Sequence, residues 1–215
     1  MLKAVIFDLD GLIADTEKLH YESYRQAFKV FGYELDLEVY EKHWIREGKT
    51  VPDYLRAHNI DRDPSDFRRE KAGRYKALVE SEVQAMPGAV ELITSIYGRK
   101  LIALATSSYP WDAGAVIDTL GIRAYFHVIV TNADVENIKP APDAFIVAAE
   151  KLGVPAKQCI VLEDSEKGVV AAKEAGMKVI AVPNAHTRNN DFSRADKVVT
   201  SLKTVTLQDL EALIS

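Results

Sequence analysis

The sequence predicts an α/β protein whose core is a doubly wound, Rossmann-like parallel sheet with an inserted all-α cap domain. Two observations support this prediction. After residue 87, short apolar segments alternate with segments of helical periodicity, which is typical of repeated βα units and a parallel sheet covered on both faces. A single apolar segment at 4–7 precedes a long stretch that is helical, aromatic and charged. We therefore expect a core of residues 1–14 and 87–215 and a helical cap of residues 15–86.

The first elements follow from local signals. Ala4–Phe7 is apolar and favours a strand that is buried on both faces. Aromatic and small residues recur at spacings of three and four over 16–31, which predicts an amphipathic helix that ends at Gly32. Asp63 and Pro64 indicate the N-cap and first residue of another helix, which continues into the low 80s.

The dipeptide Pro87-Gly88 marks the start of the alternating segments. The strands predicted after it are 101–105, 127–130, 159–162, 179–182 and 197–199. The helices predicted between and after them are 89–97, 112–120, 142–152, 167–175 and 207–213. The insertion follows the first strand, at the edge of the sheet where such folds bind ligands, so a helical block there can act as a lid.

Composition excludes several classes of protein. The 215 residues include 27 Lys and Arg against 32 Asp and Glu, a net charge of −5, and 47% are hydrophobic, which excludes a disordered chain. The mild acidity gives no electrostatic reason to expect nucleic acid or an anionic membrane as a partner. The single cysteine, Cys159, excludes an internal disulfide and a Cys-based zinc site, and its apolar neighbours indicate a buried side chain. No apolar run approaches the roughly 18 residues that span a bilayer, so we expect a cytoplasmic protein. The size and the mild acidity of the chain are compatible with a monomer or a weak dimer.

Polar side chains follow the first two strands of the predicted core. Asp8 and Asp10 come directly after the first strand, where Gly11 permits a tight exit of the backbone. Buried like charges this close together are costly unless a cation is present. The segment Thr106-Ser107-Ser108 follows the next strand, and its hydroxyl and backbone N–H groups are suited to holding phosphate oxygens.

Two more polar segments complete the set. Lys139 precedes a proline and a predicted helix, where it can neutralise an anion, and Glu163-Asp164 follows the strand 159–162. Each of the four segments alone is typical of a turn, a helix cap or the surface. Together they combine acids for a hard cation with hydroxyls and a lysine for an anion, so we expect them to form one site.

The four segments resemble the motifs of the haloacid dehalogenase superfamily of phosphotransferases. Asp8-Leu9-Asp10-Gly11 is similar to the first motif, DxDG, Thr106-Ser107 to the second, Lys139 to the third and Glu163-Asp164 to the fourth. The resemblance extends over the whole chain. The stretch 163–177 and the helical cap are similar to the subgroup that contains β-phosphoglucomutase and many small-molecule phosphatases.

The resemblance implies distinct roles for the two aspartates of the first motif. Asp8 would be the nucleophile that forms an aspartyl-phosphate. Asp10 would be the general acid for the leaving alkoxide and then the base that activates water. Dehalogenases and phosphonatases of this superfamily lack the second aspartate, so Asp10 favours phosphate chemistry over dehalogenation.

The resemblance also implies a cofactor, Mg²⁺, and a phosphate site. The ion would be held by Asp8, the backbone carbonyl of Asp10, and Asp164, with Glu163 bound directly or through water; all-oxygen ligands suit Mg²⁺. The phosphoryl oxygens would be held by Thr106, Ser107 and Lys139. Thr106 and Lys139 would matter for catalysis as much as the nucleophile, since phosphoryl transfer depends on positioning and charge neutralisation.

Two residues of the predicted cap match the mutase. Thr16 and His20 stand where β-phosphoglucomutase couples cap closure to its acid/base aspartate, so we expect them to contact the substrate or the hinge. Packing within a helix is the alternative for His20. The mutase also has a cap arginine that grips the distal phosphate of a bisphosphate, but Val51 stands at its place here, with Lys49 and Arg46 as alternatives.

Another departure from the mutase is Tyr109-Pro110, where the mutase has an asparagine that helps to bind sugar. This departure and Val51 both favour a phosphatase. Four residues of the cap either line a substrate pocket or pack in the core of the cap: Tyr40, His43, Trp44 and Tyr54. A solvated helix face is expected for Arg68, Arg69, Lys71, Arg74 and Lys76.

The sequence thus predicts a Mg²⁺-dependent phosphatase of a small phosphorylated metabolite, such as a sugar phosphate, that acts through a phosphorylated Asp8. The alternative is a phosphoryl-transfer mutase similar to β-phosphoglucomutase. A relative that only binds phosphorylated ligands is the rival from another class. The retention of Asp8, Asp10, Lys139 and Asp164 together argues against it, because a silent relative does not need all four.

Overall fold

Six parallel strands form the central sheet of the computed structural model, which describes residues 1–214, the side chain of Arg46 excepted. The strands are β1 (Ala4–Phe7), β2 (Leu101–Ala105), β3 (Val128–Val130), β4 (Cys159–Glu163), β5 (Lys178–Ala181) and β6 (Lys197–Val198). Their order in the sheet is β3-β2-β1-β4-β5-β6. The chain builds outward from β1 in one direction and then returns to build in the other, so the topological switch point lies between β1 and β4.

The register brings the carboxyl ends of three strands level with one another. Phe7, the last residue of β1, lies opposite Leu104 of β2 and Leu162 of β4. The residues that follow these positions therefore leave the sheet at a common edge. Both β1 and β4 are buried along their whole length, as expected for central strands of a sheet with helices on both faces.

Helices cover this sheet at the positions that the sequence predicts, with ends that shift by one or two residues. They are α5 (Ala89–Ile96), α6 (Pro110–Thr119), α7 (Asp143–Leu152), α8 (Glu166–Glu174) and α9 (Leu207–Ala212). The start of α6 is the largest shift, because Pro110 takes the first helical position, where its missing N–H costs nothing. Phe145 of α7 is fully buried among apolar residues of the strands, and so is Cys159, as the sequence predicts.

The chain divides into two compact units, one formed by Met1–Asp15 with the residues from Gln84 onward, and the other by Thr16–Val83. A short antiparallel ribbon marks the transition in the first unit, with Ala14 paired to Ala85 and Asp15 to Gln84. The predicted insertion, 15–86, includes three of the four ribbon residues, and Ala14 falls in the predicted core. Two-residue strands of this kind have too few residues to show an alternating pattern, so the sequence did not predict it.

The second unit, here called the helical unit, contains α1 (Glu17–Val30), α2 (Leu37–Tyr40), α3 (Val51–Ala57) and α4 (Pro64–Glu82), with a π-helical segment at Glu41–Arg46. Asp63 caps α4 by accepting a hydrogen bond from the backbone N–H of Ser65, as predicted. The short helices α2 and α3 were not predicted individually, although Thr50 and Asp53 form a capping box at the start of α3.

An aromatic cluster is the core of the helical unit. The ring of Phe28 lies 4.6 Å from that of Phe67 and 5.1 Å from that of Tyr54, measured between centroids. Tyr40, His43 and Tyr54 are buried, and Trp44 is half-buried against them. Within the helical unit, these residues therefore form part of a packed core, which was the alternative to a substrate pocket.

One prediction for the helical unit was wrong. Lys71 was expected on a solvated face, but the residue is only 5% exposed, and its Nζ lies 3.9 Å from the centre of the Tyr75 ring. Its ammonium is held by cation–π contact while its stem covers apolar surface. Neighbouring Arg69 and Arg74 are more exposed and form ion pairs with Asp66 and Glu70.

Among the helices that the structure describes, none combines the length and the apolar character that a membrane-spanning segment requires.

We predict that Phe28→Ala lowers the free energy of unfolding of the helical unit by about 3–5 kcal/mol, because it opens a cavity in the aromatic cluster. Urea denaturation followed by the fluorescence of Trp44 would measure this loss. Val30→Ala, in the same helix at a side chain that is 53% exposed, is the control and should change stability by no more than about 0.5 kcal/mol. Similar losses in both variants would contradict the assignment of Phe28 to the core.

Candidate active site

Three carboxylates meet at the switch point of the sheet. Asp8 directly follows β1, Glu163 ends β4, and Asp164 comes next in the chain. One oxygen from each lies within 4.8 Å of the others, and all three residues are buried. The structure thus brings together the side chains of the first and fourth predicted segments.

Lys139 lies between two of these carboxylates. Its Nζ donates to Asp8 Oδ1 at 2.5 Å, to Glu163 Oε1 at 2.7 Å and to the carbonyl oxygen of Ala105 at 3.0 Å. An ammonium has three hydrogens, and each has an acceptor here. The lysine was predicted to neutralise an anion, and within the protein it already balances part of the charge of the carboxylates.

Glu163 is fixed at both of its oxygens. While Oε1 accepts from Lys139, Oε2 accepts from the backbone N–H and the hydroxyl of Ser165, each at 2.9 Å. The carboxyl group lies against the first turn of α8, at Gly168, where an added Cβ would overlap it. Only glycine at position 168 therefore leaves room for the Glu163 carboxylate in this position.

Asp10 is set apart from the three-carboxylate cluster. Its Oδ2 accepts from the hydroxyl of Ser108 at 2.5 Å and from that of Thr106 at 3.3 Å. The backbone N–H of Ser108 in turn donates to the hydroxyl of Thr106 at 3.0 Å, which orders the segment after β2. The half-buried Ser107 lies between these two residues in the chain. The second predicted segment thus positions Asp10, a contact that the sequence did not predict.

Asn184 is a polar residue of this region that the sequence analysis missed. It follows the carboxyl end of β5, and its Nδ2 donates to Asp164 Oδ2 at 2.8 Å and to the carbonyl oxygen of Gly11 at 3.1 Å. The signal that identified the other segments, a polar residue just after a parallel strand, applies to Asn184 as well. Asn next to Pro is also typical of an ordinary turn, so the sequence does not distinguish the two.

Burial raises the pKa of Asp8 to about 8; Lys139 opposes this rise, and the neighbouring Glu163 and Asp10 carboxylates add to it. Burial alone would lower the pKa of Lys139, but Asp8 and Glu163 overcome that effect and raise it above the ordinary lysine value. One lysine thus leaves the buried acids short of positive charge, and this shortage favours the protonated form of Asp8.

The donor set fits a hard divalent cation. Asp8, Glu163 and Asp164 offer oxygen ligands only, they converge within the range that a single ion spans, and their mutual repulsion would be relieved by positive charge. Oxygen ligands of this kind favour Mg²⁺, Ca²⁺ or Mn²⁺ over softer metals.

The predicted cap residues belong to the helical unit. Thr16 is buried and precedes α1, and His20, one turn later, is half-buried with its ring stacked on Tyr75 at 4.3 Å. Lys49 is exposed and pairs with Glu47 at 2.7 Å. The side chain of Arg46, the other alternative to the mutase arginine, lies outside the described part of the chain.

The sequence is similar to those of known proteins. A family model described as haloacid dehalogenase-like hydrolase matches residues 5–182. The fructose-1-phosphate phosphatase YqaB of Escherichia coli (strain K12) is 32% identical over 179 residues, which cover 83% of this chain and 95% of that protein.

Two solved structures share the fold over nearly the whole chain. A mutant of CbbY from Rhodobacter sphaeroides in complex with xylulose-(1,5)bisphosphate superposes with a TM-score of 0.88 at 29% identity, covering 98% of this chain and 99% of that one. A β-phosphoglucomutase from Clostridium difficile superposes with a TM-score of 0.82 at 26% identity, covering 100% of this chain and 97% of that one.

The pKa of Asp8 predicts an unusual pH dependence of stability. Since this pKa is about 8 in the folded protein against 3.8 as the reference value, the folded state binds a proton that the unfolded chain releases. Metal-free protein should therefore lose stability as the pH rises from about 5 to 8, by at most about 1.4 kcal/mol per pH unit. Urea denaturation in EDTA at several pH values measures the slope.

Asp8→Asn is the control for this measurement, because it removes the titrating group and keeps the shape of the side chain. The variant should show a flatter pH dependence over the same range. An unchanged slope in the variant would assign the pH dependence to other groups.

Gly168→Ala and Gly73→Ala make a matched pair of helical substitutions. An alanine Cβ at 168 displaces the Glu163 carboxylate from Lys139 and Ser165, so we expect a loss of about 1–3 kcal/mol in unfolding free energy. A Cβ at the exposed position 73 has no atom within 4 Å and should stabilise α4 by about 0.5–1 kcal/mol. Thermal denaturation distinguishes the two, and a tolerated Gly168→Ala would contradict the packing of Glu163.

Proposed function

The chain belongs to the haloacid dehalogenase-like hydrolase family, and on that basis we propose that it is a phosphatase that hydrolyses the phosphate monoester bond of a small sugar phosphate. One observation carries the proposal: the aspartates of a single segment lie in two different environments. Asp8 belongs to the buried carboxylate cluster and contacts Lys139, whereas Asp10 is held by Ser108. A nucleophile and a separate acid/base group are what transfer of a phosphoryl group to an enzyme carboxylate needs.

Asp8 is the proposed nucleophile. Its carboxylate attacks phosphorus, the bond from phosphorus to the ester oxygen breaks, and the phosphoryl group is left on Asp8 as an acyl phosphate. Lys139 stays within hydrogen-bonding distance of Asp8 Oδ1 and offsets negative charge as the phosphoryl group arrives. Because its ammonium is held on three sides, it does so from a fixed position.

Asp10 is the proposed acid and base. In its protonated form it gives a proton to the departing sugar oxygen, and as a carboxylate it then takes a proton from the water that attacks the acyl phosphate. Ser108 and Thr106 hold one of its oxygens in place throughout. The hydrolysis returns Asp8 to its carboxylate form and releases inorganic phosphate.

A divalent cation, Mg²⁺ in this proposal, would be held by Asp8, Asp164 and Glu163 with the backbone carbonyl of Asp10, and when bound it would supply positive charge to the phosphoryl oxygens. Thr106, Ser107, Ser108 and Lys139 complete the phosphate site. For Thr16 and His20 of the helical unit we propose contact with the sugar.

A β-phosphoglucomutase-like mutase is the second candidate, favoured by Thr16 and His20 at the matching positions. Two observations support the phosphatase instead. Val51, at the place of the mutase's cap arginine, is buried in the aromatic cluster and carries no charge. Lys49 is engaged with Glu47. The known activity of YqaB, given by its name as a fructose-1-phosphate phosphatase, agrees with this choice.

We predict that the purified protein with Mg²⁺ releases phosphate from one or more of fructose 1-phosphate, xylulose 1,5-bisphosphate and β-glucose 1-phosphate. Released phosphate and glucose 6-phosphate would be measured separately, with a bisphosphate primer present in a parallel series. Formation of glucose 6-phosphate with little free phosphate would establish the mutase instead. Asp8→Asn should reduce turnover at least a thousandfold, or about 4 kcal/mol, because an amide cannot attack phosphorus.

Asp61→Asn, an exposed aspartate of the helical unit, is the control for this loss and should retain the wild-type rate. A variant Asp8→Asn that kept more than about a tenth of the activity would exclude Asp8 as the nucleophile.

A further inference from the structure

We propose that Asn184 is a positioning residue that fixes Asp164 as a ligand for a divalent cation. The inference rests on the metal site of the proposed function, but its test measures metal binding directly. Asn184 lies beyond β5, outside the four motif segments, and reaches Asp164 across 20 positions of the chain.

The contacts of Asn184 leave its side chain a single orientation. Both hydrogens of Nδ2 are used, one on Asp164 Oδ2 at 2.8 Å and one on the carbonyl oxygen of Gly11 at 3.1 Å. The Oδ1 atom accepts from the backbone N–H groups of His186 and Thr187, at 2.8 and 3.2 Å. A flipped amide would set oxygen against two oxygens and NH₂ against two N–H groups, so all four contacts oppose the flip.

The segment that carries Asn184 is also tied back to itself. The backbone N–H of Asn184 donates to the hydroxyl of Thr187 at 3.1 Å, and Thr187 is buried. The side chain therefore projects from a closed turn toward Asp164. The contacts of Oδ1 form an Asx-type turn, which fixes Oδ1 and leaves Nδ2 directed at Asp164.

Gly11 shows how little space surrounds the bridge that Asn184 forms between Gly11 and Asp164. Its φ is +80°, and an added Cβ would lie 2.5 Å from both Asn184 Nδ2 and Asp164 Oδ2. Glycine is thus required twice, for the turn after Asp10 and for the approach of the amide to the carboxylate. The contacts connect the turn after β1, the end of β4 and the turn after β5.

Asp164 needs such a support because of its neighbours. Asp8 and Glu163 offer oxygens within 4.8 Å of it, and like charges at this distance would turn its carboxylate away. Lys139 holds those two carboxylates. Asn184 holds the third with a neutral donor, which adds no positive charge to compete with a metal ion. The contact from Asn184 thereby fixes the Oδ2 atom of Asp164 beside the other two carboxylates.

The test compares metal affinity in Asn184→Ala and Asn184→Ser with that of the wild type. Serine can still accept from the backbone N–H groups of the turn but is too short to reach Asp164, so it separates the bridge from the folding of the loop. Thr187→Val is the matched control, because it removes the other hydrogen bond of the turn and leaves the Asn184 amide in place. Binding of Mn²⁺ to metal-free protein would be followed by the loss of the free-ion EPR signal, with Mg²⁺ as competitor.

We expect both Asn184 variants to bind Mn²⁺ at least tenfold more weakly, the scale of effect found for residues that orient metal ligands. Thr187→Val should stay within about threefold of the wild type. With a substrate identified, the Mg²⁺ concentration for half-maximal activity should rise by the same factor, while the rate at saturating Mg²⁺ largely recovers.

Two results would overturn the inference alone. One is an Asn184→Ser affinity within threefold of the wild type. The other is an equal loss of affinity in Thr187→Val, which would assign the effect to the loop as a whole. A wild-type protein that binds no Mn²⁺ would overturn the inference together with the metal site of the proposed function.

Discussion

The burial of several carboxylates at one edge of the sheet is the constraint on which the rest of the site depends. Asp8, Glu163 and Asp164 repel one another where water cannot screen them. The surrounding residues respond in different ways: Lys139 supplies charge, Ser165 and Asn184 supply neutral donors, and Asp8 gains affinity for a proton. The mutual repulsion of the three carboxylates is costly, and the same repulsion favours the binding of a cation.

Parallel strands explain why so much of this site is predictable from the sequence. In a parallel sheet every strand ends at the same edge, so polar residues after apolar runs meet there even when they are far apart in the chain, as Asp8 and Asp164 are. Asn184 obeys the same rule, but its neighbours in sequence suggest nothing beyond a turn. The contacts of Thr106 and Ser108 with Asp10 were also unpredictable, because they depend on the local backbone path after β2.

The helical unit shows the opposite case. Its helices are amphipathic, yet the sequence does not reveal which polar residues are drawn inward. Lys71 stands in a helix rich in charge, yet it is buried, and the ring of Tyr75 one turn away makes a cation–π contact with its ammonium. Val51 is the converse, an apolar residue whose burial excludes it from recognition of a charged ligand. Which residues of this unit are available to a ligand therefore depends on packing that only the three-dimensional structure reveals.

The position of β1 at the centre of the sheet has a consequence for how the protein is made. Ala4 pairs with Leu101 on one side and with Cys159 on the other, so both partners of this strand leave the ribosome long after it does. During that interval the helical unit, whose contacts are within one continuous segment, can fold by itself, while β1 remains an apolar segment with two open edges. One edge of the earliest strand thus stays open until β2 is made and the other until β4 is made, and an unpaired apolar strand of this kind favours aggregation while it lasts.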